Sequence, residues 1–510
     1  MELVYKVKDR PPFGKLIVAA LQQLLAILAA TIAVPAAIGH GMSASAALFG
    51  AGAGTLVYLL FTRFRSPVFL GSSFAFLGSM AAAFAGGVSM SLGYLGLILG
   101  ALFAGLVYVV IAIVVKFAGV KWIDKLMPAV VIGPTVAIIG LSLSGNAIGD
   151  LMKGNVMKAV TDWQFVLDEA GNKIFENGLP LVEEIPSSVM VCSPYAALIC
   201  GLVTLAVTII CSVYGKKTLK LFPFIIGIVA GYALAAILTG IGTAADADAL
   251  KIIDFSKFKD MQWLPEFTFI QAFKGDYGDG VGAYIGTIAV AYVPVAFVVF
   301  AEHIADHKNL SSIIGSDLLR DPGLSNTLLG DGVGSMVGAF FGGCPNTTYG
   351  ESVGCIAITG NASVVTILTT AIIAMVISFF GPFVTFLSTI PSCVMGGVCV
   401  ALYGFIAVSG LKMIQKVDLG DNKNLFVVSV ILIAGVGGMT LNFGKVTITS
   451  VACALILGIL VNLLCSIGKG GKTDAAAESE VSAPEAAEPV NPVAEETEAA
   501  GSQQSETEEK

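Results

Sequence analysis

Two carboxylates, Glu302 and Glu351, stand in stretches of the chain that are otherwise almost free of charge. The first lies in VVFAEHIAD (298–306), the second in GCPNTTYGESVGCIAIT (343–359). An ionisable side chain at membrane depth costs about 2.5–3.5 kcal/mol on insertion scales, so it rarely faces lipid and marks the path of a solute or proton. A carboxylate accepts hydrogen bonds from ring N–H groups, free backbone N–H groups donate to ring carbonyls, and Phe74 offers a stacking face. Together these groups complement a small planar heterocycle of alternating C=O and N–H. Two carboxylates buried close together also resist ionising at once. One of the glutamates is therefore expected to load and release a proton near neutral pH.

Each residue also has a plainer reading. Glu351 would simply bond the irregular backbone around it. Glu302 would sit with His303, Asp306 and His307 at a wetted helix end, which is a commoner origin for HIADHK than a metal site. Asp331, in GDGVGS, reads as a helix-packing or proton-network residue, and Tyr403, in VALYGFIAVSG, as a packing aromatic.

The elements that must position these groups are membrane spans. Hydrophobic residues make up 56% of the chain and charged residues 13%, against roughly 45–50% and 25% in soluble domains. Apolar runs of about 18–25 residues, the length of a helix crossing a bilayer, recur from residue 14 to 467. The pattern gives fourteen segments, at about 14–38, 44–62, 68–86, 93–117, 127–148, 194–214, 222–242, 283–307, 324–341, 345–360, 362–385, 389–409, 424–442 and 446–466. Residues 1–13 precede the first span. Two polar loops, about 149–193 and 243–282, and a tail, 468–510, complete the chain. The polar, basic start runs into a span too long for a signal-peptide core, so no cleavable signal is expected.

The net charge of -8 belongs to the tail. After Lys472 there are eleven acidic residues against one lysine, and the Ala/Glu/Pro/Ser composition reads as disordered and cytoplasmic. Nucleic-acid binding is not expected. The nine cysteines are scattered without a CxxC pair, which suggests neither a disulfide framework nor zinc. Short connections carrying Arg63 and Arg65, Lys121 and Lys125, Lys216, Lys217 and Lys220, and Lys412 and Lys416 fall on one side. That side is read as the cytoplasm and holds both termini.

Two spans read badly as plain helices. FLGSSFAFLGSM (69–80) and CPNTTYGESVG (344–354) are rich in Gly, Ser and Thr, and such backbone is tolerated at membrane depth only inside protein or against a cavity. They are the third span of each seven-span half, and an odd span number inverts the second half. MPAVVIG (127–133) faintly echoes IPSCVMG (390–396). Paired broken spans in inverted halves point to a transporter site near the midplane. A channel would favour rings of like charge or a carbonyl filter, and an enzyme a nucleophile–base or metal constellation. No filter repeat is visible, and only the HIADHK cluster hints at an enzyme's constellation.

These motifs together resemble the nucleobase–ascorbate transporter family, most closely its bacterial uracil permeases. The carriers are RPP at Arg10, LGSSFAF (70–76), AEHI (301–304), LLRDPGL (318–324), PNTTYGE (345–351) and VMGGV (394–398). The resemblance implies an all-α polytopic fold of fourteen spans in two inverted repeats, with short extended strands in spans 3 and 10. Spans 1–4 and 8–11 would form a core domain and spans 5–7 and 12–14 a gate domain. It implies proton-coupled import of uracil into the cell, across the cell membrane. No cofactor is expected, sodium is less expected than protons, and a homodimer fits. Substrate would be held by Glu302, Glu351, the backbone amides of Phe74 and Gly350, and by Ala30, Tyr349 and Tyr403, with Glu302, Asp306 and His303 in the proton step. Ser352 stands where the family signature has asparagine, Asp306 where uracil permeases carry a histidine, and Gly360 where that subgroup has arginine. A xanthine, uric acid or other purine carrier is the alternative within the family.

Overall fold

The computed structural model describes residues 3–466, except 166–174, 177–178, 181, 216–218, 220–221, 260, 262, 276, 278–280 and 444–445. Residues Met1–Leu464 form one compact unit and Cys465–Lys510 a second, of which only Cys465 and Ser466 are described. The acidic tail expected at 468–510 lies outside the described residues.

The chain is helical wherever its apolar runs are long. The first part carries α1 (Phe13–Ile38), α2 (Ala44–Phe61), β1 (Leu70–Ser72), a 3-10 turn (Phe74–Phe76), α3 (Leu77–Ala83) and α4 (Met90–Ala118). It continues with α5 (Lys121–Leu126), α6 (Ala129–Ser142) and α7 (Ser144–Asp150). The first polar loop then pairs β2 (Met157–Phe165) with β5 (Val182–Met190) around the two-residue strands β3 (Phe175–Glu176) and β4 (Leu179–Pro180). Next come α8 (Pro194–Tyr214), α9 (Pro223–Ala244), the short α10 (Thr268–Ala272) and α11 (Val281–Ile314).

The remainder comprises α12 (Leu324–Gly342), β6 (Asn346–Thr348), α13 (Gly350–Thr359), α14 (Val364–Ile377), α15 (Gly381–Thr389), α16 (Ser392–Ile414) and α17 (Asn422–Val436). It closes with the hairpin β7 (Leu441–Phe443) and β8 (Val446–Ile448), and α18 (Ser450–Ser466).

Among the described residues, eight helices are long and apolar enough to cross a bilayer, and a ninth span arises if α14 and α15 are joined across their 85° bend. Fourteen segments are therefore not fourteen plain helices. The third and tenth segments are each a strand followed by a helix, the eleventh is bent before Pro382, and α17 and α18 are short. In the other direction, α11 continues to Ile314, so Glu302 lies about three turns before its end. The wetted-terminus reading of Glu302 is thereby corrected.

Two packing groups emerge. In one, α2 lies on α12 and α14, α4 on α11 and α12, and α1 on α14. In the other, α6 lies on α16 and α17, and α8 on α9 and α16. Close approach of α2 and α12 needs glycine. A Cβ on Gly50 would come within 2.4 Å of the Gly338 carbonyl oxygen. The N-terminal segment is also held. Val4 N–H donates to Gly360 O (2.9 Å), Ala362 N–H to Tyr5 O (2.9 Å) and Val364 N–H to Val7 O (3.1 Å).

Candidate functional site

The site begins with two three-residue strands from opposite ends of the sequence. Gly343 ends α12 in the left-handed conformation and Pro345 brings no N–H, so the chain leaves the helix and extends through Asn346–Thr348. β6 pairs antiparallel with β1 in the register Leu70↔Thr348, Gly71↔Thr347, Ser72↔Asn346. Ser73 N–H reaches Pro345 O at 2.9 Å and Tyr349 N–H reaches Phe69 O at 3.3 Å, extending the ladder at both ends.

Side chains satisfy the outer edges, as backbone at membrane depth requires. Leu70 N–H donates to Thr55 Oγ1 (2.9 Å), Asn346 Nδ2 to Gly50 O (2.9 Å), and the Tyr349 hydroxyl to Ser72 O (2.8 Å). The Tyr349 ring covers Gly71, where a Cβ would lie 2.2 Å from ring carbons.

Each strand leads directly into a helical turn. The turn at Phe74 and the helix at Gly350 both start without a side-chain cap. Their first N–H groups therefore have no intrahelical acceptor and suit a ligand's carbonyl oxygens.

Both starts line one cavity of about 350 Å³, within the roughly 300–1,000 Å³ of small-molecule sites. One wall is Ser73, Phe74, the run Thr347–Glu351, and Glu302, Ala305, Asp306 and Asn309 of α11. The α11 residues share a face by helical spacing. Asp306 is fixed there by the Thr348 hydroxyl, which donates to its Oδ2 at 2.8 Å. The opposite wall comes from the second packing group, with Val136 of α6, Ser212 of α8, Phe224 of α9, and Phe405, Ile406 and Ser409 of α16.

The structure thus brings Glu302, Glu351, Asp306, Phe74, Tyr349 and Gly350 to one cavity. It places the other expected residues behind that surface. Ala30 is fully buried in α1. Tyr403 is buried and meets Phe74 edge to face, with ring centroids 5.2 Å apart. His303 points away from the cavity into the bundle, where Nδ1 lies 2.7 Å from Asp331 Oδ2 and Nε2 3.0 Å from Thr327 Oγ1. His307, one turn on, gives its Nδ1–H to the His303 carbonyl and sets Nε2 2.7 Å from the Tyr58 hydroxyl. Both histidines are spent on these partners, and neither is a free ligand for a metal.

Residues that the sequence did not single out are Gln23, Asn309 and the α16 face of Phe405, Ile406 and Ser409. On α16 the apolar residues run around the whole helix, leaving no stripe to distinguish the cavity face. Gln23 had a signal, since it is an amide inside an apolar span.

The family profile described as the Permease family matches residues 14–169 and 173–444. The chain belongs to the Permease family. This is the nucleobase–ascorbate transporter family that its motifs resemble. Curated relatives include the uracil permease of Bacillus caldolyticus, 38% identical over 465 residues, covering 90% of this chain and 94% of that one. The uracil permease of Bacillus subtilis (strain 168) is 37% identical over 472 residues, covering 92% and 96%. That of Escherichia coli (strain K12) is 33% identical over 460 residues, covering 90% and 93%. Among solved structures, this family member is similar to the transmembrane domain of a cyanobacterium bicarbonate transporter, BicA. The TM-score is 0.56 at 16% identity, covering 91% of this chain and 100% of that one. It also matches the overall structure of SLC26A9 (TM-score 0.56, 11% identity, 89% and 66% covered). These two likenesses concern the fold. The permease is a multi-pass membrane transport protein rather than an enzyme.

Proposed function

We propose that this permease imports uracil with protons across the cell membrane, by alternating access around the 350 Å³ cavity. The observation that carries the reading is the meeting of Glu302, Glu351 and two uncapped helical starts, at Phe74 and Gly350, in one cavity. The ring N–H groups of uracil would donate to the carboxylates, and its carbonyl oxygens would accept from the backbone amides. The relatives at 33–38% identity that are named uracil permeases support the substrate.

On this reading the first packing group is the core and the second the gate, with fourteen spans in two inverted halves. The antiparallel pairing of the third and tenth segments supports the inversion. The cavity lies between the groups and reaches Ser212 and Pro223, which flank the lysine-bearing connection after α8. With that connection in the cytoplasm, the conformation is open inward. Protons arriving with substrate neutralise part of the charge of Glu302, Asp306 and Glu351.

Radiolabelled uracil uptake into proteoliposomes, with an imposed pH gradient and unlabelled competitors, tests the proposal. Saturable uptake that collapses with protonophore and resists xanthine and uric acid is expected. Competition by xanthine or uric acid in place of uracil would move the substrate to purines, and dependence on sodium would replace the proton.

A further inference from the structure

Glu351 is the second residue of α13, and a helix start that no side chain caps must be held in place by something else. The holding contacts converge on Phe69, the residue before β1. Its C=O accepts from Tyr349 N–H at 3.3 Å, and its N–H donates to Ser352 Oγ at 3.2 Å. The segment 349–352, which carries Gly350 and Glu351, therefore grips one residue at both of its backbone polar groups. A third element closes the arrangement. Gln23 of α1 donates through Nε2 to the same Ser352 Oγ, and also lies 3.4 Å from the Ser352 carbonyl oxygen. Gln23 is 3% exposed and Ser352 0%, so no solvent competes for these bonds.

We propose that Gln23, Ser352 and the Phe69 amide form a clasp that sets where the Glu351 carboxylate stands in the cavity, making Gln23 and Ser352 positioning residues for ligand binding. The proposal rests on the reading of this cavity as the uracil site. The first turn of α13 has few ways to stay still, because its N–H groups are the ones a ligand would use. A clasp on the side chain of the third residue fixes that turn without using those N–H groups. It also ties α1, β1 and α13 together, three elements distant in sequence. Neither residue touches the substrate in this scheme. Their effect passes through Glu351.

The test measures uracil binding to the purified full chain in detergent, with Ser352→Ala, the nearly volume-conserving Gln23→Met, and each combined with Glu351→Gln. Each single variant is expected to weaken uracil binding about five- to tenfold, as for loss of one buried hydrogen bond, with maximal uptake velocity little changed. In the Glu351→Gln background the same substitutions should have almost no further effect, since the group they position is already altered. Binding unchanged in both single variants would overturn the clasp. So would an equal loss with and without Glu351, because the contacts would then act elsewhere. Should Ser352→Ala fail to fold, Gln23→Met carries the same comparison. Failure of the unmodified chain to bind uracil would instead overturn the reading of the site.

Discussion

Phe74 and Tyr403 meet at 79° between ring planes, and through them the strand-bearing bundle touches α16 just behind the cavity. Two cavities are lined by α1 and α16. The 350 Å³ cavity reaches Ala26 on α1 and Phe405 on α16, whereas a second one of about 590 Å³ begins at Ile32 on α1 and Met395 on α16. Along α1 and α16 the buried Ala30 and Tyr403 fall between the residues lining one cavity and those lining the other. Ala30 and Tyr403 are therefore expected to form part of a barrier between the two spaces.

Tyr403→Phe keeps the ring and should leave uracil uptake near normal. Tyr403→Ala removes an edge-to-face contact worth about 0.5–1.5 kcal/mol beyond its buried area. It should open the barrier, seen as labelling from outside of a cysteine placed at Ala305. Labelling equal to that of the unmodified barrier would contradict this role.

Glu351→Gln exchanges one acceptor oxygen for a donor. Loss of a charge-assisted hydrogen bond costs roughly 1.5–3 kcal/mol, so uracil should bind at least about tenfold more weakly. Unaltered affinity in a folded variant would remove Glu351 from the ligand's contacts.

Glu302→Gln cannot exchange a proton. Concentrative uptake should disappear while binding and exchange of uracil across vesicles partly survive. In the unmodified protein, uptake should fall as external pH rises, because loading needs the protonated carboxyl. Uptake by Glu302→Gln that still responds to a pH gradient would place the coupling group elsewhere.

His303 and Asp331 are both fully buried and bonded to each other. Leaving one partner of such a buried hydrogen bond unsatisfied costs about 1–3 kcal/mol. His303→Ala should therefore lower the melting temperature of the purified protein strongly, and Asp331→Asn, which keeps a polar partner, should lower it less. A melting temperature unmoved by His303→Ala would show that the pair carries no stability.

Truncation after Lys472 removes the acidic tail and keeps the basic residues flanking the last span. Insertion and uracil uptake should stay close to those of the full chain. A large loss at equal membrane abundance would assign the tail a docking role on the cytoplasmic face.

The site was legible where function forces a residue to be out of place. Glu302, Glu351 and Asp306 are charges in apolar runs, and glycine, serine and threonine at 70–73 and 346–350 cannot read as ordinary span, so both signals survive in one dimension. What stayed hidden depends on the direction in which a side chain points. His303 sits beside Glu302 in sequence, yet the helical turn sends it to the opposite side, towards Asp331. Ser352 looked like a simple departure from a signature until Gln23, on a helix more than three hundred residues earlier, was found bonded to it. The strands β1 and β6 were legible from those out-of-place residues, whereas the 85° bend between α14 and α15 left no mark in hydropathy.

The pairing of β1 with β6 also has a consequence in time. As the chain is made, residue 70 enters the bilayer long before residue 348 exists, and until then one strand's N–H and C=O groups lack their ladder partners in a medium without water. The first half of the protein is thus obliged to remain unfinished at its centre. A nascent chain broken off before β6 holds no binding site and displays an open strand edge inside the membrane. A transporter built this way can bind its cargo only after Ser409, the last residue lining its cavity, has been made.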